Sequence, residues 1–336
     1  MRKIDFGYIF LIIGVIIGAG FSSGKEIAVF FTSAGKYSFI VIPLIMFFLY
    51  FILKTLIVFS QNIKTDNIQE INKSLFHRGN KIFNIIILLG LFIFLTAMVA
   101  GLNSIGKLIF PNINFPVLTI ISLFFSFFVC INGKDMIEKV NKILMPIVII
   151  FIIFVCVYNI LFAQNHISVT TNFYSTFKYL ILGILYISYN ITFSSGVIIT
   201  SSKDKNKINA KILTFILFIL IIIINIALLR TNYDIYQSDL PLLNMAFFVS
   251  DLVGYLFGFV LWFSILTSLI SSLYILINAF KINKFLSTSI ILPLSFILSN
   301  FGFSYIISFF YPVQGIIGVV YITKIIEFSF KKVKKH

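Results

Sequence analysis

The chain has 336 residues, of which 60% are hydrophobic and 11% charged, with 42 phenylalanines. Such a composition excludes an ordinary soluble domain and points to helices that cross a bilayer. The formal net charge of +15 would suit nucleic acid, but the basic residues flank apolar segments, where they set topology and meet anionic lipid; a lipid bilayer is the expected partner and nucleic acid is not.

Ten apolar segments are long enough to span, near residues 6–31, 37–59, 82–106, 115–132, 140–162, 174–200, 209–230, 247–279, 285–301 and 304–327. Residues 232–246, with Asn232, Asp234, Asp239 and Pro241, are too polar to span and read as an extramembrane loop. Arg2 and Lys3 precede the first segment, but no small-residue cleavage site follows a short apolar core, so this span is expected to stay in the mature protein. With the N-terminus placed inside, 21 of the 26 Lys and Arg fall on the cytoplasmic side, against Lys25, Lys36, Lys107, Lys178 and Arg230 outside. The positive-inside rule then puts both termini in the cytoplasm of a multi-pass plasma-membrane protein. The longest polar stretch, residues 60–81, is too short for a core of its own, which leaves one transmembrane domain over 1–336. Cys130 and Cys156 lie in apolar surroundings, and His77, His166 and His336 lie in loops or at the terminus. No His, Cys or paired-acid constellation reaches the core, so neither an enzyme nor a resident cofactor is expected.

The first segment is not uniformly apolar. From Gly14 it reads G-V-I-I-G-A-G-F-S-S-G-K-E-I, and Gly14, Gly18, Gly20 and Gly24 each weaken a helix. Unpaired backbone groups cannot face lipid and are tolerated at membrane depth only where protein or a watery cavity receives them. The pattern predicts a helix that stops near Ile17 and restarts near Ser23, with Ser23 and Glu26 forming a capping box. That assigns Glu26 to helix capping ahead of the ion coupling for which an intramembrane acid is otherwise a suspect. Lys25 is expected to snorkel or pair.

The ten segments divide into five and five, about 6–162 and 174–327. The sixth reads Y-I-S-Y-N-I-T-F-S-S-G-V-I-I-T, and Phe21-Ser22-Ser23-Gly24 recurs as Phe193-Ser194-Ser195-Gly196. Five helices per half force the second half to insert upside down. The expected fold is therefore an all-α membrane protein of ten transmembrane helices, a 5+5 inverted repeat with interrupted first and sixth helices. Small and hydroxyl residues also serve close helix packing, but paired interruptions point to a transporter's central site.

Around the first break, the N–H groups of Gly18, Ala19 and Gly20, with Phe21, can receive a carboxylate at a helix start. Carbonyls from Gly14 to Ile17 suit a small cation or an ammonium group. A small zwitterion fits both ends, an amino acid above all. Tyr189, Asn190, Thr192 and Ser195 offer hydrogen bonds from the sixth segment. On the eighth, Ser264, Thr267, Ser268, Ser271 and Ser272 form one stripe, which serves either as packing glue or as hard oxygen ligands for sodium. Thr96 and Asn103 on the third segment read as packing residues.

The run G-A-G-F-S-S-G-K-E-I resembles the first-helix signature of the YkvI-like bacterial membrane proteins, read as amino-acid permeases, over about residues 14–35. That group is similar to the amino acid–polyamine–organocation superfamily, with its LeuT-type inverted five-helix repeat. The resemblance implies a sodium site made by the carbonyls of Gly14, Ile17 and Ser264 and the hydroxyls of Thr267 and Ser268. Some proton-driven relatives carry a lysine on the fifth helix; here Lys139 and Lys142 stand at its cytoplasmic entrance, which implies sodium over protons. The resulting expectation is secondary active transport of an amino acid or similar zwitterion by alternating access, as an ion-coupled symport. A non-transporting amino-acid sensor on the same fold, like a germinant-receptor subunit, is the rival.

Overall fold

The structure is a computed structural model that describes residues 9, 12–14, 16–62, 72–73, 75–76, 79–113, 116–132, 135–163, 175–201, 209–279 and 283–333. Residues 9, 12–14 and 16 are helical, followed by α1 (Ala19–Ser22), α2 (Lys25–Phe30) and a 3₁₀ segment (Thr32–Tyr37). Then come α3 (Ser38–Asn62), α4 (Asn80–Ile109), α5 (Val117–Asn132), α6 (Asp135–Phe162), α7 (Ser175–Ser201) and α8 (Ala210–Leu229). Two short helices, α9 (Tyr233–Gln237) and α10 (Pro241–Val249), lead to α11 (Asp251–Ala279), α12 (Lys284–Leu298) and, through short turns, α13 (Tyr311–Val333). No strand occurs among the described residues.

Among the described residues, seven helical stretches are both long and apolar enough to cross a membrane, and Val117–Ile131 is a shorter apolar helix. Phe47, Phe51, Ile85, Leu89, Phe124, Phe128, Ile150 and Phe154 are exposed on the outer faces of α3 to α6. An apolar surface of that extent is unstable in water and matches lipid.

The sixth predicted span differs from expectation. α7 runs unbroken from Ser175 to Ser201. Its polar residues return their hydrogen bonds to their own helix: Ser188 to Ile184 O (2.7 Å), Asn190 to Tyr186 O (3.0 Å), Thr192 to Ser188 O (2.8 Å), Ser194 to Asn190 O (2.7 Å) and Ser195 to Thr192 O (2.8 Å). Side chains of this kind satisfy themselves on the preceding turn without breaking it. The interruption is therefore confined to the first helix, where glycines rather than hydroxyls weaken the backbone.

Residues 232–246 also differ from a plain surface loop. α9 is exposed or half-buried, but Leu240, Leu242, Leu243, Met245 and Ala246 are fully buried. Asn159 donates to Met245 O (3.4 Å) and Arg230 to Ile160 O (2.6 Å), fastening this segment and its entry to α6. The segment is a lid pressed into the bundle, polar at its edge and apolar beneath.

α13 lies along α7 at backbone contact. A Cβ at Gly315 would stand 2.6 Å from Leu185 Cβ and 2.7 Å from Leu185 O, and one at Gly318 would overlap the Ser188 carbonyl. Small residues allow such approach where no hydrophobic force drives helices together in lipid. Because the obstructing atoms at Gly318 are backbone, Gly318→Ala is expected to destabilise the protein by about 1–3 kcal/mol. Gly79→Ala, where a Cβ meets nothing, is the control; thermal unfolding in detergent compares the two.

Candidate functional site

The first helix ends where the glycines begin. Ile17 N donates to Ile13 O (2.6 Å) and Gly18 N to Ile16 O (3.0 Å), after which Gly18 is extended (φ −75°, ψ −172°). One turn, α1, closes with Ser22 N on Gly18 O (3.0 Å) and Ser23 N on Ala19 O (2.9 Å). Gly24 then takes a left-handed conformation (φ 83°), which a side chain would strain, and α2 begins. Residues 16–28 are all buried, so the irregular backbone is received by protein and not by lipid, as membrane physics demands.

The capping box is not formed. Gly24 is the N-cap of α2, and Ser23 N is engaged with Ala19 O rather than with Glu26. Ser23 Oγ donates to Gly20 O (3.0 Å) and accepts from Lys25 N (3.3 Å). The left-handed Gly24 redirects the chain so that the Glu26 side chain folds back over Gly20. A Cβ at Gly20 would stand 2.6 Å from Glu26 Cγ and 2.7 Å from Cδ. Gly20 is glycine because a carboxyl group occupies the place of its side chain.

Glu26 is 1% exposed, and its Oε2 has no hydrogen-bond partner among the described residues. Tyr189 turns its hydroxyl towards this carboxyl, and Tyr186 and Tyr311 lie within its electrostatic reach. All three hydroxyls are buried and without a partner in the described structure. The rings form one aromatic cluster: Tyr186–Tyr189 5.6 Å, Tyr189–Tyr311 4.9 Å, Phe30–Tyr189 5.6 Å and Phe31–Tyr186 4.9 Å between centroids. Phe94 and Phe193 continue it at 5.1 Å.

Of the residues expected at a substrate site, the structure gathers Gly18, Ala19, Gly20, Phe21 and Tyr189 around the break. Thr192 and Ser195 turn instead to α13: a Cβ at Gly318 would lie 2.9 Å from Thr192 Oγ1, and Tyr321 donates to Ser195 Oγ (3.3 Å). Asn190 is bonded within α7. Thr96 bonds to Phe92 O (2.9 Å) and Asn103 accepts from Thr119 (2.8 Å), both in packing roles. Sequence reasoning missed Tyr186 and Tyr311. Tyr186 carried a signal, three residues before Tyr189 on the same helical face; Tyr311 carried none.

On α11, Thr267 and Ser268 both donate to Ser264 O (3.0 Å each), and Ser264 Oγ is buried without a partner. α1 packs against α11. Gly14 faces Met145, whose Cγ would stand 2.6 Å from a Cβ there, and Ile17 is fully buried. No group of three or more His, Cys, Asp or Glu side chains able to hold a metal occurs among the described residues.

The lid closes over one end of the break. Leu242 N donates to Ser23 O (2.9 Å), and Lys25 Nζ donates to Gln237 O (2.8 Å) and Ser238 O (2.9 Å). Tyr236 donates to Ala28 O (3.2 Å); burial, with Tyr179 and Tyr233 nearby, pushes its hydroxyl up to about 12, so it stays a donor at neutral pH. Asp239 accepts from Ser104 Oγ on α4 (2.7 Å) and from both the N–H (3.1 Å) and the hydroxyl of Ser304 before α13. A cleft of about 190 Å³ opens between α4, α5 and α12, lined by Asn103, Lys107, Thr119 and Asn300 among others; none of its lining residues belongs to the break.

These features define an integral, multi-pass helical membrane protein built round a broken, buried first helix. No protein-family model matches the chain. It is similar to the uncharacterized membrane protein YkvI of Bacillus subtilis (strain 168), 23% identical over 325 residues, 93% of this chain and 92% of that protein. The resemblance seen over residues 14–35 thus extends along nearly the whole sequence. Among solved structures, MhsT in complex with L-phenylalanine matches over 96% of this chain and 90% of its own, with a TM-score of 0.67 at 15% identity. A manganese transporter mutant of Eremococcus coleocola matches over 87% and 69%, with a TM-score of 0.58 at 15% identity. The fold is therefore the one these solved structures share.

The contact between Gly20 and Glu26 is testable as a pair. Gly20→Ala alone should cost about 1–3 kcal/mol by overpacking, and adding Glu26→Ala should return much of it, because the two sites share one space. Thermal unfolding of the two single variants and the double variant reads the coupling.

Proposed function

We propose that the protein is a secondary active transporter that moves an amino acid or similar small zwitterion across the plasma membrane by alternating access, coupled to sodium. The observation that carries this reading is the buried break from Ile17 to Gly24, an irregular backbone held at the centre of a helical bundle. Such a break offers a helix start to a carboxylate and free carbonyls to a cation, which is what a zwitterion needs. The fold shared with MhsT, solved with L-phenylalanine, supports the same reading.

In this reading the chain is one transmembrane domain of ten spans, a 5+5 inverted repeat broken in its first helix, with both termini in the cytoplasm. The lid then lies on the outer side, and the structure corresponds to a state shut to the outside. Substrate would meet Gly18, Ala19, Gly20, Phe21 and Tyr189; Asn190, Thr192 and Ser195 would have to leave their present partners to join them. Sodium would use the Gly14, Ile17 and Ser264 carbonyls with the Thr267 and Ser268 hydroxyls. Support for that set comes from the convergence of both hydroxyls on Ser264 O, which sodium would replace with shared coordination.

Reconstituted protein should take up radiolabelled proteinogenic amino acids from a mixture, and more of them under an inward sodium gradient. Binding without uptake would reject the transporter reading in favour of a sensor. Thr267→Ala combined with Ser268→Ala should abolish the sodium stimulation while leaving thermal stability nearly unchanged; persistent stimulation rejects that ion site.

A further inference from the structure

Glu26 presents a charge problem: no cationic side chain among the described residues faces it, although Tyr189 directs its hydroxyl at the carboxyl. It is 1% exposed with Oε2 unpartnered, inside a shell of Phe21, Phe30, Tyr186, Tyr189 and Tyr311, each 2% exposed or less. The groups facing it from α7 and α13 are the tyrosine hydroxyls of Tyr186, Tyr189 and Tyr311, which are uncharged. Lys25 points away, bonded to the lid carbonyls of Gln237 and Ser238, with Asp239 beside it. α8, also packed on α2, carries no charged residue after Lys211. α1 and the Ile306–Phe310 turn carry none. In the 3₁₀ segment Lys36 is exposed and lies over the ring of Tyr37 (5.3 Å), and Lys178 on α7 is exposed as well.

An ionised carboxylate buried without a partner is among the costliest arrangements in a protein interior. The carboxyl packs into the space left by the missing side chain of Gly20, so a bulky counter-charge placed between the two would have to displace it. A proton is the one counter-charge that takes no volume. It also makes the carboxyl a donor, and the Tyr189 hydroxyl that faces it can accept.

We propose that Glu26 is a proton-binding site that holds a proton while the lid is shut and releases it when the lid opens. On opening, water reaches the carboxyl, its O–H bond breaks, the carboxylate keeps the electron pair, and water takes the proton. The lid and Glu26 are joined mechanically, because α2 and the residue before Gly24 bind the lid through Ser23 O, Lys25 and the Ala28 carbonyl. The link to transport rests on the alternating-access reading; the proton site itself does not.

Spin labels at Tyr233→Cys in the lid and Phe301→Cys before α13, both exposed positions, report lid opening by their separation; Cys130 and Cys156 are buried and stay unlabelled. From about pH 5 to about pH 9, a range above that in which exposed carboxyls titrate, the wild type should pass from the short to the longer distance. Glu26→Gln, neutral and of the same shape, should hold the short distance throughout. An equal pH response in Glu26→Gln, no response in the wild type, or closure favoured by rising pH would overturn the proposal. Should Glu26→Gln fail to fold, Tyr189→Phe is expected to move the midpoint of the response, and an unmoved midpoint counts against it. In proteoliposomes, changing the external pH should change the rate of amino-acid uptake by the wild type and not by Glu26→Gln. Uptake absent from both, with the label response intact, rejects transport and leaves the proton site standing.

Discussion

The constraint on which the rest of this structure depends is that backbone N–H and C=O groups cannot be left facing lipid. Once four glycines weaken the first helix, the break at Gly18 and Gly24 must be enclosed by protein. α11 packs on one side, α7 and the start of α13 supply an aromatic wall, and the lid covers the end near Ser23. Each of these elements is placed where it is because an exposed turn at that depth would be intolerable. The site is thus a by-product of burial before it is a device for binding.

Within that enclosure polar groups are few and each has a definite partner or a definite lack of one. Lys25 and Asp239 illustrate the first case, together tying the lid to α2, α4 and the entry to α13. Glu26 and its three tyrosines illustrate the second. The contrast matters because Asp239 lies beside Lys25, the residue next to Glu26. One acid accepts hydrogen bonds from donors that converge on it; the other faces hydroxyls and rings.

Much of the architecture was legible from residues alone. The ends of α3, α4, α7 and α8 fall within a few residues of the apolar segments that announce them, because apolar length is a direct physical requirement of spanning. The break near Ile17 was legible because glycine acts locally. What failed were inferences from polar side chains. Hydroxyls in the sixth segment looked like an interruption, but their bonds to the preceding turn keep α7 whole. The Ser23–Glu26 spacing looked like a capping box, but a left-handed Gly24 turned the carboxyl away, and no sequence spacing records a backbone angle. Tyr311 joins the site from 285 residues downstream of Glu26 (roughly the whole chain), a proximity that only the folded topology creates.

The contact between α7 and α13 has a mechanical corollary. At Gly315 and Gly318 no side chain separates the two backbones, so no rotamer change can ease one helix past the other. Sliding would drive main chain into main chain at Leu185 and Ser188. The pair is in effect a single beam, and Tyr189 and Tyr311 ride on it at fixed spacing. In the alternating-access reading, whatever moves would move relative to that beam, which makes α7 and α13 the natural frame of reference and would assign the motion to the broken first helix and the lid.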